Sequence, residues 1–267
     1  MYIHSYSLQG KRESNEDQHI GIINLDGKNK KLNKINFIGV FDGHGGKAVS
    51  KYVKDNLPSY VLKKSNVNIY QQKKHVAGYF FKELFNKVQN DLKTKHPRVA
   101  NRCGSTALCG VHYLDKLNNP MLWIANVGDS RAVLCNYKNL HQQLSIDHKP
   151  NVKSEKERIK KLGGKIKFDG ADWRIQDLSL SRAFGDTDTS PFVTHKPDIF
   201  RYRLNKKDKF VIFACDGLWD VVSNRAAVTF VNKLLDNKYT GNIAKRLAEH
   251  AIKKGSYDNV TVSILFL

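Results

Sequence analysis

Two short apolar runs of similar design lie near opposite ends of the chain. The first spans residues 35–41 and leads into Asp42, and the second spans residues 210–215 and leads into Asp216. Both runs are rich in Ile, Val and Phe, and a glycine follows each aspartate directly. Short apolar runs of this composition favour buried strands over helices. The pattern therefore predicts two buried strands, each of which carries a carboxylate at its end.

Other short strands are predicted along both halves of the chain. Their apolar residues alternate or cluster in short runs that end in turn residues. These runs are residues 3–8, 19–25, 105–113, 121–127, 131–136, 140–144 and 259–267. Residues 26–34 are polar and begin with Asp26-Gly27, which predicts a hairpin loop between two strands. Residues 165–177 follow no clear period and predict a flap or loop.

Helices are predicted where apolar residues recur every three or four positions. The first spans residues 48–57 and is expected to end at Pro58, because proline breaks the backbone hydrogen bonding of a helix. A longer helix follows at residues 76–92.

Three further helices are predicted in the second half of the chain. A short charged helix at residues 155–162 is followed by Gly163 and Gly164, which predict a C-cap. Two more helices are expected to begin at Ser223, as the N-cap, and near Thr240.

The order of these elements predicts the architecture. Buried strands need packing partners on both faces, and a pair of helices follows each of the two Asp-Gly strands. Two packed antiparallel sheets, with one helix pair on each outer side, satisfy both conditions. We therefore predict an α+β fold, a four-layer αββα sandwich. No repeat or linker interrupts the pattern, so we predict one domain over residues 1–267.

The chain is strongly basic, with 45 Lys and Arg against 25 Asp and Glu and a formal net charge of +20. Such a charge attracts polyanions and phosphorylated partners. A nucleic-acid-binding protein would be expected to show a basic groove with interleaved aromatic residues, and no such stretch occurs. The lysines come in scattered pairs, such as Lys30 with Lys31 and Lys160 with Lys161. We therefore interpret them as solvated surface residues and expect no specific nucleic-acid partner.

Hydropathy and cysteine usage indicate the cellular context. No apolar run reaches the roughly 18 residues of a membrane span, and the first residues do not resemble a signal peptide. The cysteines have no C-x-x-C spacing, which argues against a zinc site and favours small buried residues in a reducing compartment. We expect a cytoplasmic monomer that does not bind membranes, with the nucleus as an alternative location.

Acidic residues at the ends of predicted elements form the candidate site. Asp42 and Asp216 would repel each other in one site unless a cation lay between them. Further acidic residues at element ends are Glu16, Asp17, Asp129 and Asp258. Carboxylates without Cys or paired His ligands suit magnesium or manganese rather than zinc. For any single aspartate a turn or a helix cap is the alternative, and Asp220 either joins the site or caps the turn before Ser223.

Eight motifs, in order along the chain, resemble those of the metal-dependent protein phosphatases of type 2C. They are R-E-S-N-E-D (12–17), F-D-G-H-G-G (41–46), G-S-T-A (104–107), A-N-V-G-D-S-R-A (125–132), D-H-K-P (147–150), S-L-S-R-A-F-G-D (179–186), A-C-D-G-L-W-D (214–220) and Y-D-N-V-T-V (257–262). One motif alone would carry little weight, but eight in the family's order cover nearly the whole chain. The resemblance implies the same sandwich and a two-metal centre in the cleft between its sheets.

The resemblance also implies the ligands of two magnesium or manganese ions per subunit. Asp42 matches the carboxylate that bridges both ions, and the carbonyl of Gly43 matches a ligand of one of them. Glu16, Asp216 and Asp258 match ligands of the other ion, several of them through water.

Four more residues receive roles from the same comparison of motifs. Asp129 matches a looser site for a third ion, and Asp17 is expected to support the direct ligands from behind. Arg12 matches the arginine that binds phosphate, a role that suits its planar fork of donors. His44 matches the proposed general acid.

The activity implied by the resemblance is hydrolysis of phosphoserine and phosphothreonine in proteins. Water activated by the ions attacks phosphorus in line, with no phosphoenzyme intermediate. Cys215 lacks the phosphate-binding loop of a cysteine phosphatase, so we interpret it as a core residue. The alternative is an inactive member of the fold that only binds phosphoproteins. Such a member would be expected to lack a metal ligand, and every matching position is filled here.

The segment at residues 165–177 matches the family's variable flap only in position. Its sequence therefore does not indicate which substrates are preferred. Trp173 in this segment could contact the substrate, or it could pack on its own domain, which is the commoner role of a loop aromatic residue.

Overall fold

The computed structural model describes residues 1–23, 35–61, 69–70 and 74–267. The predicted hairpin loop at residues 26–34 and the end of the predicted strand at residues 19–25 lie outside the described residues. The strands are β1 (Tyr2–Leu8), β2 (Gln18–Ile22), β3 (Asn36–Phe41), β4 (Gly43–His44), β5 (Gly104–Ser105), β6 (Ala107–Leu114), β7 (Pro120–Val127), β8 (Arg131–Cys135), β9 (His141–Gln143), β10 (Ile166–Phe168), β11 (Trp173–Ile175), β12 (Phe184–Gly185), β13 (Asp198–Arg203), β14 (Phe210–Ala214) and β15 (Val260–Phe266). The helices are α1 (Ala48–Val61), α2 (Lys74–Lys95), α3 (Pro97–Arg102), α4 (Lys153–Lys161), α5 (Asp216–Trp219), α6 (Asn224–Asp236) and α7 (Ile243–Lys253).

Two five-stranded antiparallel sheets form the centre of the fold. Their strand orders are β13-β7-β6-β3-β2 and β1-β15-β14-β8-β9. Two small sheets accompany them, the hairpin β10-β11 and the three-stranded sheet β12-β5-β4. In the second large sheet β15 pairs with both β1 and β14, so the last strand lies between the first strand and one of the two Asp-Gly strands.

Side-chain alternation along the two Asp-Gly strands explains the layers. In β3, Phe37 packs in the core under α1 and α2, whereas Ile38 faces the other sheet. In β14, Ile212 packs under α6 and α7, whereas Val211 and Phe213 face the first sheet. Successive residues of a strand point to opposite faces, so an entirely apolar strand fills both a helix–sheet layer and the layer between the sheets. The predicted α+β sandwich of antiparallel sheets and flanking helices is confirmed.

Helix ends agree with the sequence in part. Ser223 caps α6 as predicted, since its hydroxyl accepts a hydrogen bond from the Ala226 amide at 3.2 Å. Helix α7 begins at Ile243 with Asn242 as its cap, close to the predicted start near Thr240. The prediction that Pro58 ends the first helix is wrong, because α1 continues to Val61. Pro58 and Val61 are both buried, and their packing offsets the hydrogen bond that proline cannot donate.

Several short elements were not predicted. Helices α3 and α5, strand β13 and the two-residue strands have no counterpart among the sequence expectations, because they are too short or too polar to show a period. The predicted loop at residues 165–177 contains the β10–β11 hairpin, in which Ile166 pairs with Ile175. Among the described residues no helix is both long enough and apolar enough to cross a membrane.

Candidate metal centre and phosphate site

The two Asp-Gly strands deliver Asp42 and Asp216 to one cleft of about 470 Å³. Most of the predicted site residues line this cleft: Arg12, Glu16, Asp42, Gly43, His44, Asp129, Asp216 and Asp258. Asp17 does not line it but lies behind Asp42, where its carboxylate, that of Asp42 and the Cys215 sulfur lie within 4.8 Å of one another. The structure therefore brings residues from both ends of the chain to one acidic site.

Asn259 joins the first loop to the start of the last strand. Its side-chain oxygen accepts from the Glu16 amide at 2.9 Å, and its side-chain amide donates to the carbonyls of Gln9 at 2.7 Å and Ser14 at 2.9 Å. The loop that carries Arg12 and Glu16 is thus held at the cleft by a residue near the other end of the chain. The role of Asn259 was not predicted, although it lies in one of the family-like motifs.

Arg12 reaches across the cleft to Asp258. Its Nη2 donates to Asp258 Oδ2 at 2.6 Å, and 61% of the Arg12 side chain remains exposed. The hydrogen bond to Asp258, together with the charge of that carboxylate, raises the pKa of Arg12, which keeps the guanidinium ionised. Arg12 is therefore oriented by an acidic residue of the site and still exposes donors that can bind an anion.

The loop after β3 is held in place by backbone contacts. The Thr106 hydroxyl accepts from the Asp42 amide at 3.0 Å, and the Thr106 amide donates to the Asp42 carbonyl at 2.8 Å. A Cβ atom at Gly43 would lie 2.4 Å from the Glu16 carbonyl, so only glycine allows the two loops to approach so closely. The Gly46 amide donates to the Glu16 carboxylate at 3.0 Å. These contacts fix Glu16 beside Asp42.

Burial and mutual repulsion disfavour the ionised forms of the central carboxylates. Burial raises the pKa of Asp42 well above its ordinary value, and repulsion from Asp17 and Asp216 adds to the effect. Burial also raises the pKa of Asp216 well above its ordinary value, with repulsion from Asp129 as the next cause. The pKa values of Asp17 and Asp129 are each raised to about 6, mainly by burial.

Part of this negative charge lacks hydrogen-bond donors. Both carboxylate oxygens of Asp17 and Oδ2 of Asp129 are buried and accept no hydrogen bond from the described part of the chain. Buried carboxylates are normally paired, hydrogen-bonded or bound to a cation. The atoms that could bind a metal here are all oxygens, apart from the neighbouring Cys215 sulfur. Such a set of ligands suits hard divalent ions. The residues present therefore fit magnesium or manganese.

Lys149 is a basic residue beside Asp129 to which the sequence analysis assigned no role. Its ammonium nitrogen lies 3.9 Å from Asp129 Oδ2 and 3.6 Å from Asp220 Oδ1. Asp220 ends α5 and has a side chain that is 60% exposed. Lys149 therefore offsets part of the charge of Asp129 and links Asp220 to the edge of the site.

His44 lies at the same cleft and contacts a residue to which the sequence assigned no role. Its Nε2 lies 2.7 Å from Oδ2 of Asp186, which is buried. Burial alone would lower the pKa of His44, but the hydrogen bond and the charge of Asp186 outweigh it and the pKa is raised. Asp186 ends the S-L-S-R-A-F-G-D motif, so the motif was recognised but the contact was not.

A sequence model of a known family matches nearly the whole chain. The family is described as Protein phosphatase 2C, and the match covers residues 3–260. This chain belongs to the protein phosphatase 2C family. It is accordingly a metal-dependent protein serine/threonine phosphatase by family, as the motifs predicted, and phosphoproteins are the substrate class of the family.

Relatives with similar sequences occur in an animal, a plant and a virus. Protein phosphatase 1L of Bos taurus is 34% identical over 268 residues, which covers 97% of this chain and 71% of the relative. Probable protein phosphatase 2C 45 of Oryza sativa is 36% identical and covers 97% of this chain and 85% of its own length. A mimivirus protein named as PP2C-like domain-containing protein R307 is 44% identical over 166 residues, or 54% of this chain and 92% of its own.

Solved structures of other proteins have the same fold. A serine-threonine phosphatase 2C from Toxoplasma gondii superposes with a TM-score of 0.83 at 22% identity, covering 99% of this chain and 94% of that one. A Caenorhabditis elegans sex determining protein gives a TM-score of 0.87 at 25% identity, and the match covers 99% of this chain and 64% of that chain.

The flap of this phosphatase borders the cleft. Arg174 and Asp177 line the cleft beside the acidic residues. Arg174 is held within the flap, since it donates to the Asp169 carboxylate and, at 2.7 Å, to the Asp177 carbonyl. Trp173 packs on Phe168 of the same hairpin, with ring centroids 5.4 Å apart. Of the two roles considered for Trp173, this contact favours packing within the flap.

Three of the four cysteines of this phosphatase agree with the core interpretation, and Cys103 is only partly buried. All four are free thiols, and Cys109, Cys135 and Cys215 are buried. Burial raises the pKa of Cys215 well above its ordinary value, and its neighbours Asp17 and Asp42 add to the shift. A thiol that remains protonated is a poor nucleophile, so Cys215 is unsuited to covalent phosphate chemistry.

Proposed function

We propose that this protein is an active phosphatase that hydrolyses phosphoserine and phosphothreonine in proteins without a phosphoenzyme intermediate. The observation that carries the proposal is the convergence of Asp42 and Asp216 in one cleft, with buried carboxylate oxygens beside them that accept no hydrogen bond from any residue the structure describes. Such an arrangement is stable only if cations bind there or the carboxylates take up protons.

The ligands proposed for two magnesium or manganese ions are Asp42, the Gly43 carbonyl, Glu16, Asp216 and Asp258. Bound ions would supply an activated water as nucleophile and would offset the negative charge of the phosphate group. Asp17 lies behind Asp42 and is proposed to act through it rather than by direct contact. Asp129 is proposed to hold a further, looser ion, for which the Lys149 ammonium would compete.

Arg12 and His44 are proposed to act on the substrate. Arg12 would bind the phosphate oxygens with the donors not used by Asp258, in an orientation that the Asp258 contact maintains. His44 would donate a proton to the serine or threonine oxygen as the bond to phosphorus breaks. An alkoxide is a poor leaving group, so proton donation is worth roughly 10²–10⁴-fold in rate.

An inactive phosphoprotein-binding member of the same fold remains the second candidate. The filled ligand positions and the open cleft favour the enzyme. The two candidates differ in one measurable property, which is release of phosphate from a bound phosphopeptide.

The proposal predicts activity that depends on the two strand-end aspartates and on added metal. Phosphoserine peptide should be hydrolysed with manganese and not in excess chelator, and manganese should raise the melting temperature because a ligand of the native state stabilises it. Asp42→Ala and Asp216→Ala should each abolish turnover and remove the manganese-induced shift in melting temperature. Asp55→Ala, an exposed acidic position on α1, is the matched control.

Two results would contradict the proposal. Full turnover in excess chelator would exclude metal-dependent hydrolysis. Binding of manganese and phosphopeptide without release of phosphate would support the inactive alternative.

A further inference from the structure

The small sheet β12-β5-β4 brings together three segments that are far apart in the sequence. His44 in β4 pairs with Gly104 in β5, and Gly104 pairs with Gly185 in β12. Asp186 follows Gly185 directly, so this sheet places the Asp186 side chain beside the His44 ring. The small sheet therefore positions residues at the cleft, whereas the two large sheets form the centre of the fold.

The contact between the two side chains is short and largely removed from solvent. His44 Nε2 lies 2.7 Å from Asp186 Oδ2, and only 6% of Asp186 is exposed. An ionised carboxylate can only accept a hydrogen bond, so Nε2 of the histidine must carry the hydrogen in this pair. In the doubly protonated ring Nδ1 carries the second hydrogen, and it is the ring nitrogen left to donate a proton to a substrate in the cleft.

The chain leaves room for this contact at one glycine. A Cβ atom on Gly104 would lie 2.2 Å from both His44 Nε2 and Asp186 Oδ2. Real Cβ atoms do not approach other heavy atoms so closely, so any other residue at position 104 would push the pair apart. The His44 and Asp186 side chains therefore meet in the space that a side chain at position 104 would fill.

The backbone around Asp186 is held from two further directions. Gln89 of α2 is buried and binds Gly185 twice, by donating to its carbonyl and accepting from its amide, both at 2.9 Å. The Thr189 hydroxyl donates to the Asp186 carbonyl at 2.7 Å. Asp186 has a φ of 44°, a left-handed conformation in which aspartate and asparagine are more common than most residues. These contacts fix the carboxylate before any substrate binds.

We infer that Asp186 is a positioning residue for His44, which holds the imidazole ring so that Nδ1 faces the leaving oxygen of the substrate. Asp186 does not line the cleft and acts through His44 alone. This inference rests on the proposed function, because it assumes that His44 donates a proton to the leaving group. Gln89 and Gly104 contribute by keeping Asp186 and His44 in place.

The test compares two substrates that differ in their need for a proton donor. A phosphoserine peptide releases a poor leaving group, whereas nitrophenyl phosphate releases a good one. Asp186→Gly removes the side chain and suits the left-handed backbone, and it should lower kcat for the peptide about 10- to 100-fold, within the range that general acid catalysis contributes. The kcat for nitrophenyl phosphate should change by less than about threefold, because that reaction needs little proton donation.

Two further variants separate positioning from a general structural role. Asp186→Asn should restore most of the peptide activity, because its amide oxygen can still accept a hydrogen bond from His44 Nε2. In a His44→Gln background, Asp186→Gly should have no further effect, since residues that act as a unit are not additive. Asp188→Asn, an exposed acidic position two residues away, is the control. The manganese-induced shift in melting temperature should be unchanged in all of them.

The outcomes distinguish this inference from the proposed function. If Asp186→Gly slows both substrates by the same factor, or still slows the peptide when His44 is Gln, Asp186 has a structural role and the inference is wrong. If His44→Gln alone fails to discriminate between the substrates, the proton-donor part of the proposed function fails, and the inference fails with it. If His44→Gln discriminates and Asp186→Gly does not, only the inference is overturned.

Discussion

At the scale of single residues, Asp258 and Asn259 join the loop that carries Arg12 to the proposed metal ligands. Asn259 holds the backbone of the first loop through Glu16 and Ser14, while Asp258 holds the Arg12 side chain. The guanidinium is thereby placed at the cleft before substrate binds. Pre-orientation of this kind reduces the entropy lost when a phosphate group is bound.

Replacement of Arg12 tests this arrangement. Arg12→Ala should lower kcat/KM for phosphopeptides about 10- to 100-fold, since a charge-assisted hydrogen bond contributes roughly 1.5–3 kcal/mol. Arg12→Lys should recover only part of the loss, because lysine keeps the charge but not the planar fork. Lys11→Ala is the control, since Lys11 faces the Tyr257 ring at 4.0 Å. An unchanged kcat/KM in Arg12→Ala would place Arg12 outside the site.

At the scale of elements, a buried polar network links α4 to β13 and to the turn that carries Asp129. Glu155 of α4 is 1% exposed and accepts hydrogen bonds from Arg182 at 2.6 Å and Arg158 at 2.9 Å. Arg182 also pairs with Asp198 of β13, whose carboxylate contacts His148. The other ring nitrogen of His148 accepts from the Gly128 amide, in the turn that carries Asp129.

Glu155→Gln should destabilise the fold. Breaking one partner out of a buried ion pair typically costs about 3–5 kcal/mol, because the remaining charge is left unpaired. The free energy of unfolding at neutral pH, measured with urea, should fall by an amount of that order. Glu157→Gln, an exposed position on the same helix, is the control and should change little.

The same variant predicts a dependence on pH. Burial alone would raise the pKa of Glu155, but Arg182 and Arg158 outweigh it and lower the pKa from 4.5 to about 2. A carboxylate whose pKa is lower in the native state than in the unfolded state stabilises the native state at any pH above the unfolded-state pKa. This stabilisation is lost as the pH falls toward the native-state pKa. The difference in unfolding free energy between wild type and Glu155→Gln should therefore shrink between pH 4.5 and about 2. A difference that is independent of pH would show that the Glu155 charge is not responsible.

At the scale of the whole molecule, an acidic cleft is set in a chain with a net charge of +20. Among the described residues, seven carboxylate side chains line the cleft, whereas lysines are spread over the sequence as isolated residues and short pairs. A diffuse positive surface attracts acidic phosphoproteins over a distance without recognising a particular sequence. We therefore expect the net positive charge to affect how readily the protein meets its substrate more than it affects the rate of the chemical step.

A salt series with two phosphoserine peptides tests this expectation. A peptide with acidic flanking residues should have a lower KM than one with basic flanking residues, with a similar kcat. The difference should shrink as ionic strength rises past about 0.15 M, where the Debye length is about 8 Å. A preference for the acidic peptide that persists at high salt would instead indicate a specific basic groove.

The period of the apolar residues along the sequence by itself determines most of the fold. The fully buried strands β3 and β14, the helices α1, α2, α6 and α7 and the sandwich they form are all encoded in local patterns. Helix and strand periods are local properties, so neighbouring residues are enough to reveal them. The glycines after Asp42 and Asp216 likewise marked the strand ends that meet at the cleft.

Short elements and long-range contacts were decided only by tertiary structure. A two-residue strand such as β4 has no detectable period, and packing of Pro58 in the core overrode its tendency to end a helix. The partners of His44 and Glu16 are Asp186 and Asn259, which lie 142 and 243 residues away. The sequence could present these residues in family-like motifs. Their pairing depends on how the sheets bring distant segments together. A hydrogen bond requires two atoms to lie close together in space, and the order of residues in the sequence does not specify that distance.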